Sequence, residues 1–338
     1  MFGLLSAFWG ASYLFIKVAL EDDMAPAFIV FARCALAAMV LLPAAAHIGA
    51  LAGLRERLRP LVVLAFIQVT VPFTLITIGE QEISSSLTGI LVASAPIFTF
   101  LLAFVLPGAE RAGPLSLFGV AIGIAGVALL LGVDAPGGTS AVVGGLLVVL
   151  ATLGYGIGAW FLKRRLPGVQ PVGAVGATSA ATALMVLPFA AFQVPDHAPG
   201  IDAAASLAAL GVLCTGLAFV FFYSLVASEG PAKASLVAYV APAFSVVYGV
   251  TLLDERFTAT TAAGLLLIVG GSWVAAEGRL PWRRRVAAAA KEEVPAEADA
   301  AGVAAAGEMS CPAEAAAAGS AEPPADGTRS VAPARELA

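Results

Sequence analysis

Ten apolar stretches, at about residues 3–20, 26–47, 60–79, 85–106, 114–132, 142–162, 170–192, 204–226, 232–252 and 259–276, take up almost all of the chain as far as residue 276. A helix rises about 1.5 Å per residue, so runs of about 20 residues match a hydrocarbon core of about 30 Å. Strands of a membrane barrel would be half as long and would alternate polar with apolar residues. A soluble fold is excluded by composition: 60% of the residues are hydrophobic and 12% are charged, against about 25% charged in ordinary soluble domains. The sequence therefore predicts an all-α membrane protein with ten transmembrane helices. The first run lacks a basic leader and continues into another span, so it reads as a membrane helix rather than a signal peptide.

Charge gives the orientation. With the N-terminus inside, the cytoplasmic segments hold twelve basic residues: Arg55, Arg57, Arg59, Arg111, Lys163, Arg164, Arg165, Lys233, Arg279, Arg283, Arg284 and Arg285. The outer loops hold Arg256 alone and carry acids such as Glu21, Asp22, Asp23, Glu80, Glu82, Asp134, Asp196 and Asp202. The positive-inside rule thus puts both termini in the cytoplasm. The formal net charge of −5 comes from residues 291–338, which hold three basic residues against nine acidic ones. Residues 279–338 alternate Ala runs with Glu, Pro and Gly, and read as a disordered acidic cytoplasmic tail. The absence of Asn beside abundant Ala, Gly and Arg suggests a bacterial source.

The chain repeats itself. At a shift of 146 residues Gly10 matches Gly156, Phe15 matches Phe161, Lys17 matches Lys163, Ala95-Pro96 matches Ala241-Pro242, and Trp9 meets the aromatic Tyr155. At a shift of 145, Glu110-Arg111 matches Glu255-Arg256 and Gly119 matches Gly264. Five spans per copy is an odd number, so the copies, residues 1–135 and 136–278, run in opposite senses. Inverted repeats with a site at mid-depth between them are a secondary-transporter architecture.

The segment Trp9-Gly-Ala-Ser-Tyr-Leu-Phe-Ile-Lys17, the Pro26-to-Arg33 opening of the second span, and a proline 13 to 14 residues before a glutamate in each half (Pro96 with Glu110, Pro242 with Glu255) resemble the EamA family of the drug/metabolite transporter superfamily. The resemblance covers residues 1 to about 277. It implies two inverted five-helix repeats and transport of small metabolites, often outward. The second copy has Tyr155 in place of Trp, and Ser179 where the register puts a counterpart of Arg33.

A solute crossing at mid-depth needs polar and aromatic walls. Counted from the span ends, these are Trp9, Ser12, Tyr13, Gln68, Thr70 and Ser94 in the first half, and Thr152, Tyr155, Thr215, Tyr239 and Ser245 in the second. For any one hydroxyl the alternative is a bond to its own helix backbone. Two cations lie inside spans. Lys17 has Glu21 one turn along as a local partner. Arg33, about 12 Å into its span, requires a partner, which is Glu80, Glu82 or an anionic group of a substrate. Glu110 and Glu255 read as satisfying loop amides and helix N-termini. Pro96 and Pro242 read as kinks, and Gly119/Gly123 and Gly154/Gly158 as close-packing pairs.

These features predict a secondary transporter moving amino-acid-like, nucleoside-like or drug-like solutes across the cytoplasmic membrane, as an exporter by alternating access. A channel, a non-transporting scaffold or a membrane-embedded enzyme are the alternatives. The expected partners are a small-molecule substrate and the lipid bilayer, with no nucleic acid. No cofactor, metal or catalytic residue is expected. There is no P-loop, Gly154-Tyr-Gly-Ile-Gly lacks the dinucleotide-binding spacing, and His47, His197, Cys34, Cys214 and Cys311 form no ligand cluster in sequence.

Overall fold

The computed structural model describes residues 1–102, 114–133, 138–229 and 237–277. Glu110, Arg111, Lys233, the Arg283–Arg285 cluster and the acidic tail lie outside the described residues. Among those described, all regular structure is helical. We number the helices α1 (Phe2–Glu21), α2 (Pro26–His47), α3 (Leu58–Leu64), α4 (Val71–Gly79), α5 (Ser85–Val92), α6 (Ala95–Leu102), α7 (Pro114–Val133), α8 (Thr139–Arg165), α9 (Pro171–Ala191), α10 (Ile201–Ala209), α11 (Ala218–Glu229), α12 (Val237–Leu252) and α13 (Ala259–Glu277). Two π-helical segments join them: π1 (Ala65–Thr70) links α3 to α4, and π2 (Leu210–Leu217) links α10 to α11.

Seven of the resulting helical rods are long and apolar enough to cross a membrane, and Ser85–Phe98, Val237–Leu252 and Ala259–Ala275 are shorter apolar helices. Their outward faces carry large apolar side chains that water would penalise: Leu184, Phe189, Leu266 and Phe118 are all exposed. A bilayer accepts such a surface without cost, because its tails are as apolar as the side chains. The chain is a multi-pass membrane protein.

Local chemistry explains the helix boundaries. Pro26 and Pro171 stand at the first positions of α2 and α9, where the missing N–H is no loss. Pro43 and Pro188 lie inside the same two helices. In π1 the wider turn precedes Pro72, which cannot donate to the carbonyl one turn back. In π2 the Thr215 hydroxyl donates to the Leu210 carbonyl at 2.8 Å, so its own side chain fills the widened turn.

Span four differs from its sequence reading. A kink at Pro96 inside one continuous helix is expected, but α5 ends at Val92 and Pro96 is the second residue of a new helix, α6. Proline in the first turn of a helix costs nothing, so the break falls two residues before it. Pro242, by contrast, lies inside α12.

The closest helix pairs are α2 with α9, α7 with α13, α1 with α12, and α4 with α8. At one end, Arg57 Nη1 donates to the Pro167 carbonyl at 2.8 Å. At the other, the Gly200 N–H donates to Asp22 Oδ2 at 3.1 Å. Each bond ties a loop of the first half to a loop of the second.

Candidate functional site

Among the described side chains, Arg33 (3% exposed) and Glu80 (0%) are the two buried charged groups. Arg33 is the eighth residue of α2 and points into the bundle. Its Nε donates to Thr215 Oγ1 of π2 at 3.1 Å and its Nη2 donates to Ser12 Oγ of α1 at 3.2 Å. Its guanidinium carbon lies 3.9 Å from the centre of the Phe73 ring of α4. Tyr13 and Tyr155 are among the groups that act on it electrostatically. Both of its hydrogen-bond partners are neutral hydroxyls. A guanidinium has five N–H donors, and two are used here.

Gly211 makes this meeting of α2 and π2 feasible. A side chain there would start 2.9 Å from the Arg33 carbonyl and 2.7 Å from Leu36 Cβ. The widened turn and the bare glycine together bring Thr215 within reach of Arg33.

An aromatic wall adjoins the cation. Trp9 packs on Phe219 and Phe222, with ring centres 5.7 and 5.0 Å apart. Phe219 also meets Phe73 and Tyr223 edge-on at 6.3 and 6.2 Å. Tyr223 donates to Gln68 Oε1 at a long 3.5 Å.

Other mid-depth residues are engaged elsewhere. Ser94, in the break between α5 and α6, bonds the Leu91 carbonyl, and Thr152 bonds the Val149 carbonyl of its own helix, at 2.6 Å each. Thr70 bonds Thr182 of α9 at 3.0 Å. Tyr239 donates to the Ser272 carbonyl at 3.2 Å, and Ser245 to the Ser85 carbonyl at 3.1 Å. Of the eleven wall residues, then, Ser12 and Thr215 hold Arg33, Tyr13 and Tyr155 stand near it, and Trp9 and Gln68 belong to the aromatic wall. The remaining five bond to main-chain carbonyls or, for Thr70, to the Thr182 hydroxyl.

The sequence reading pairs Lys17 with Glu21. In the structure Lys17 Nζ instead donates to the main-chain carbonyls of Glu80 (3.0 Å) and Ile83 (3.2 Å) at the turn between α4 and α5. An ammonium is attracted to the carbonyl end of a helix, and here that end belongs to a different span. Neither Glu80 nor Glu82, the acids weighed as partners of Arg33, is hydrogen-bonded to it; Glu82 is exposed.

Glu255 caps a helix of the other half. Its two carboxylate oxygens accept the Ser85 and Ser86 N–H groups at 2.7 and 2.9 Å, and Ser84 Oγ accepts from the Leu87 N–H at 3.2 Å. Three otherwise orphaned amides of α5 are thereby satisfied by side chains. Its counterpart Glu110 lies outside the described residues.

Phe73, Phe219, Phe222, Tyr223 and Gly211 are site residues that a search for polar mid-depth groups misses. The aromatic run at 219–223, inside an otherwise aliphatic span, is the signal that could have found three of them together.

Comparison with known proteins agrees with this architecture. The model of the EamA-like transporter family matches residues 1–132 and 142–276. The uncharacterized transporter YoaV of Bacillus subtilis is 26% identical over 277 residues, covering 80% of this chain and 94% of that protein. The uncharacterized inner membrane transporter YedA of Escherichia coli K12 is 26% identical over 278 residues, covering 80% and 88%. An uncharacterized transporter of Archaeoglobus fulgidus is 24% identical over 279 residues, covering 82% and 97%. A solved crystal structure shares the fold with a TM-score of 0.57 at 21% identity, over 80% of this chain and 96% of that one. With the family model matching both halves, the chain belongs to the EamA-like transporter family and is a membrane transporter.

Proposed function

We propose that this chain is a secondary transporter of small organic solutes that carry a carboxylate beside an apolar or aromatic body, amino-acid-like molecules being the first class to test. It works by alternating access between two inverted five-helix repeats, residues 1–135 and 136–278. It moves its solute outward across a bacterial cell membrane, with both termini in the cytoplasm.

The observation that carries this reading is Arg33. A buried guanidinium is expensive unless an anion shares its site, and its hydrogen-bond partners here are two hydroxyls. The fork geometry of Arg suits a carboxylate. Trp9, Phe73, Phe219 and Phe222 offer an apolar surface for the rest of the molecule.

The helix pairing supports the inverted repeat. Exchanging the two halves maps α2 with α9, and α7 with α13, onto themselves. It maps α1 on α12 to α8 on α5 and α6, and the contacts of α3, π1 and α4 with α8 to those of α10, π2 and α11 with α1, all of which are observed. π1 and π2 begin at the 145-residue offset that relates Glu110 to Glu255, and so do Pro26 with Pro171 and Pro43 with Pro188. The loop end held by Arg57 and Pro167 carries the basic residues, which favours that end as cytoplasmic. The outward direction follows the family resemblance.

Thermal stabilisation of the purified protein tests the ligand class. L-phenylalanine should raise the unfolding temperature, and its methyl ester, which lacks the anionic charge, should not. At 100 times the dissociation constant a bound solute adds about 2.7 kcal/mol of stability. Equal stabilisation by acid and ester would contradict a carboxylate at Arg33.

A further inference from the structure

The second buried charge is not explained by solute recognition. Glu80 follows α4, is fully buried, and neither of its carboxylate oxygens has a hydrogen-bond partner. Lys17 stands beside it but spends its ammonium on the main-chain carbonyls of Glu80 and Ile83. The remaining buried side-chain oxygens without partners among the described residues, Ser85 Oγ and Ser86 Oγ, lie in the same short stretch of chain.

An ionised carboxylate removed from water and accepting no hydrogen bond is among the costliest arrangements a protein can hold. Binding one proton turns it into a neutral acid and removes most of that cost. A fixed metal cation suits the site less well. The Lys17 ammonium already occupies its edge, and Glu255, the nearby second carboxylate, has both oxygens committed to the Ser85 and Ser86 amides.

The groups that act on Glu80 come from several elements. They are Lys17 and Tyr13 of α1, Arg33 of α2, and Glu255 of the segment after α12. Glu82, on the same turn, is exposed, and its Cβ lies near Gly144 of α8. The part of α8 that packs on the turn, around Gly144 and Val148, is apolar. A cleft of about 390 Å³, lined by Ile78, Gln81, Glu82, Ser140 and Gly144, adjoins the turn one residue from Glu80.

We propose that Glu80 binds the proton that couples transport: this end of the bundle closes with Glu80 as the neutral acid and opens when the proton leaves. The proton comes from water on the side this end faces. On its loss the carboxylate gains an immediate counter-ion by a swing of Lys17 Nζ from the two carbonyls to the carboxylate. The same element thus has two charge-balanced states, which is what a coupling switch requires. The inference rests on the transporter reading above but concerns a different residue.

Infrared spectroscopy of the protein in lipid, with and without ¹³C-labelled glutamate, tests it without a solute. At about pH 7 exposed carboxylates are ionised, so a label-sensitive carbonyl band of a protonated glutamic acid is expected, and E80Q should lose it. Absence of that band in the wild type, or its persistence in E80Q, would overturn the proposal. If E80Q does not accumulate, the labelled wild type still decides whether a protonated glutamate exists, and E80D, with its different carboxyl group, should remove the glutamate signal. Replacing sodium by potassium should change nothing, and a sodium-dependent loss of the band would contradict a proton site.

In proteoliposomes, a one-unit pH gradient should drive an about tenfold gradient of labelled L-phenylalanine for one proton per solute, and E80Q should lose that accumulation. Wild-type counterflow that ignores the pH gradient would overturn coupling while leaving the transporter reading in place. A protonated Glu80 without any counterflow would overturn the transporter reading, and the coupling with it, while leaving Glu80 as a proton-binding site.

Discussion

Replacing Arg33 by alanine should leave the protein folded and cut its transport sharply at solute concentrations that half-saturate the wild type. Both hydrogen bonds of Arg33 go to hydroxyls, and Thr215 keeps its own bond to the Leu210 carbonyl when the guanidinium is gone. No bonded carboxylate is stranded, so the severe penalty of breaking a buried ion pair does not arise. What is lost is the charge-assisted contact to the solute, worth about 1.5–3 kcal/mol, or roughly a 10- to 150-fold rise in the half-saturating concentration. R33K keeps the charge without the planar fork and should fall between the two. Membrane accumulation, thermal unfolding and flux, measured together, separate the roles. An R33A protein that fails to accumulate would make Arg33 a structural residue, and one that transports normally would remove it from the site.

G10L should be strongly destabilising. A side chain at Gly10 would begin 2.5 Å from Phe244 Cβ, 2.8 Å from the Ala241 carbonyl oxygen and 2.9 Å from the Ser245 amide nitrogen. Two of those three are backbone atoms, which cannot rotate away, so α1 and α12 must separate. Overpacking of this kind costs about 1–3 kcal/mol, and the backbone obstruction puts G10L at the upper end. G3L is the control: it lies on the same helix, with nothing within 4 Å of an added Cβ. Thermal unfolding of the two variants side by side should show a large loss for G10L and little for G3L. Equal shifts would contradict the close crossing of α1 and α12.

The sequence made the spans legible because lipid exposure and core burial both demand apolar residues, and unbroken apolar runs have few other uses. It was less informative about how spans are interrupted. The break before Pro96 and the two π segments depend on which main-chain carbonyls find side-chain partners, from another span at Ala93 and from the same span at Leu210. Pro72 leaves a trace of one π segment, and Thr215 leaves almost none.

In the site, Arg33 stood out because a cation at that depth must be accounted for. Its hydroxyl partners Ser12 and Thr215 could be enumerated, but so could Ser94 and Thr152, which turn back on their own backbones. Which way a hydroxyl faces depends on the rotation of a whole helix, and spacing along the chain does not report that. The Lys17 contact shows the same limit. One turn of helix suggested Glu21, while the structure uses a carbonyl end 63 residues away.

Counterflow in proteoliposomes tests the central claim, that a single alternating site carries a carboxylate solute, most directly. Vesicles loaded with unlabelled L-phenylalanine should take up the labelled compound transiently above equilibrium, with saturation, and R33A vesicles should show a much smaller overshoot. Uptake that rises linearly with concentration, with no overshoot and no dependence on Arg33, would contradict a carrier and favour a channel.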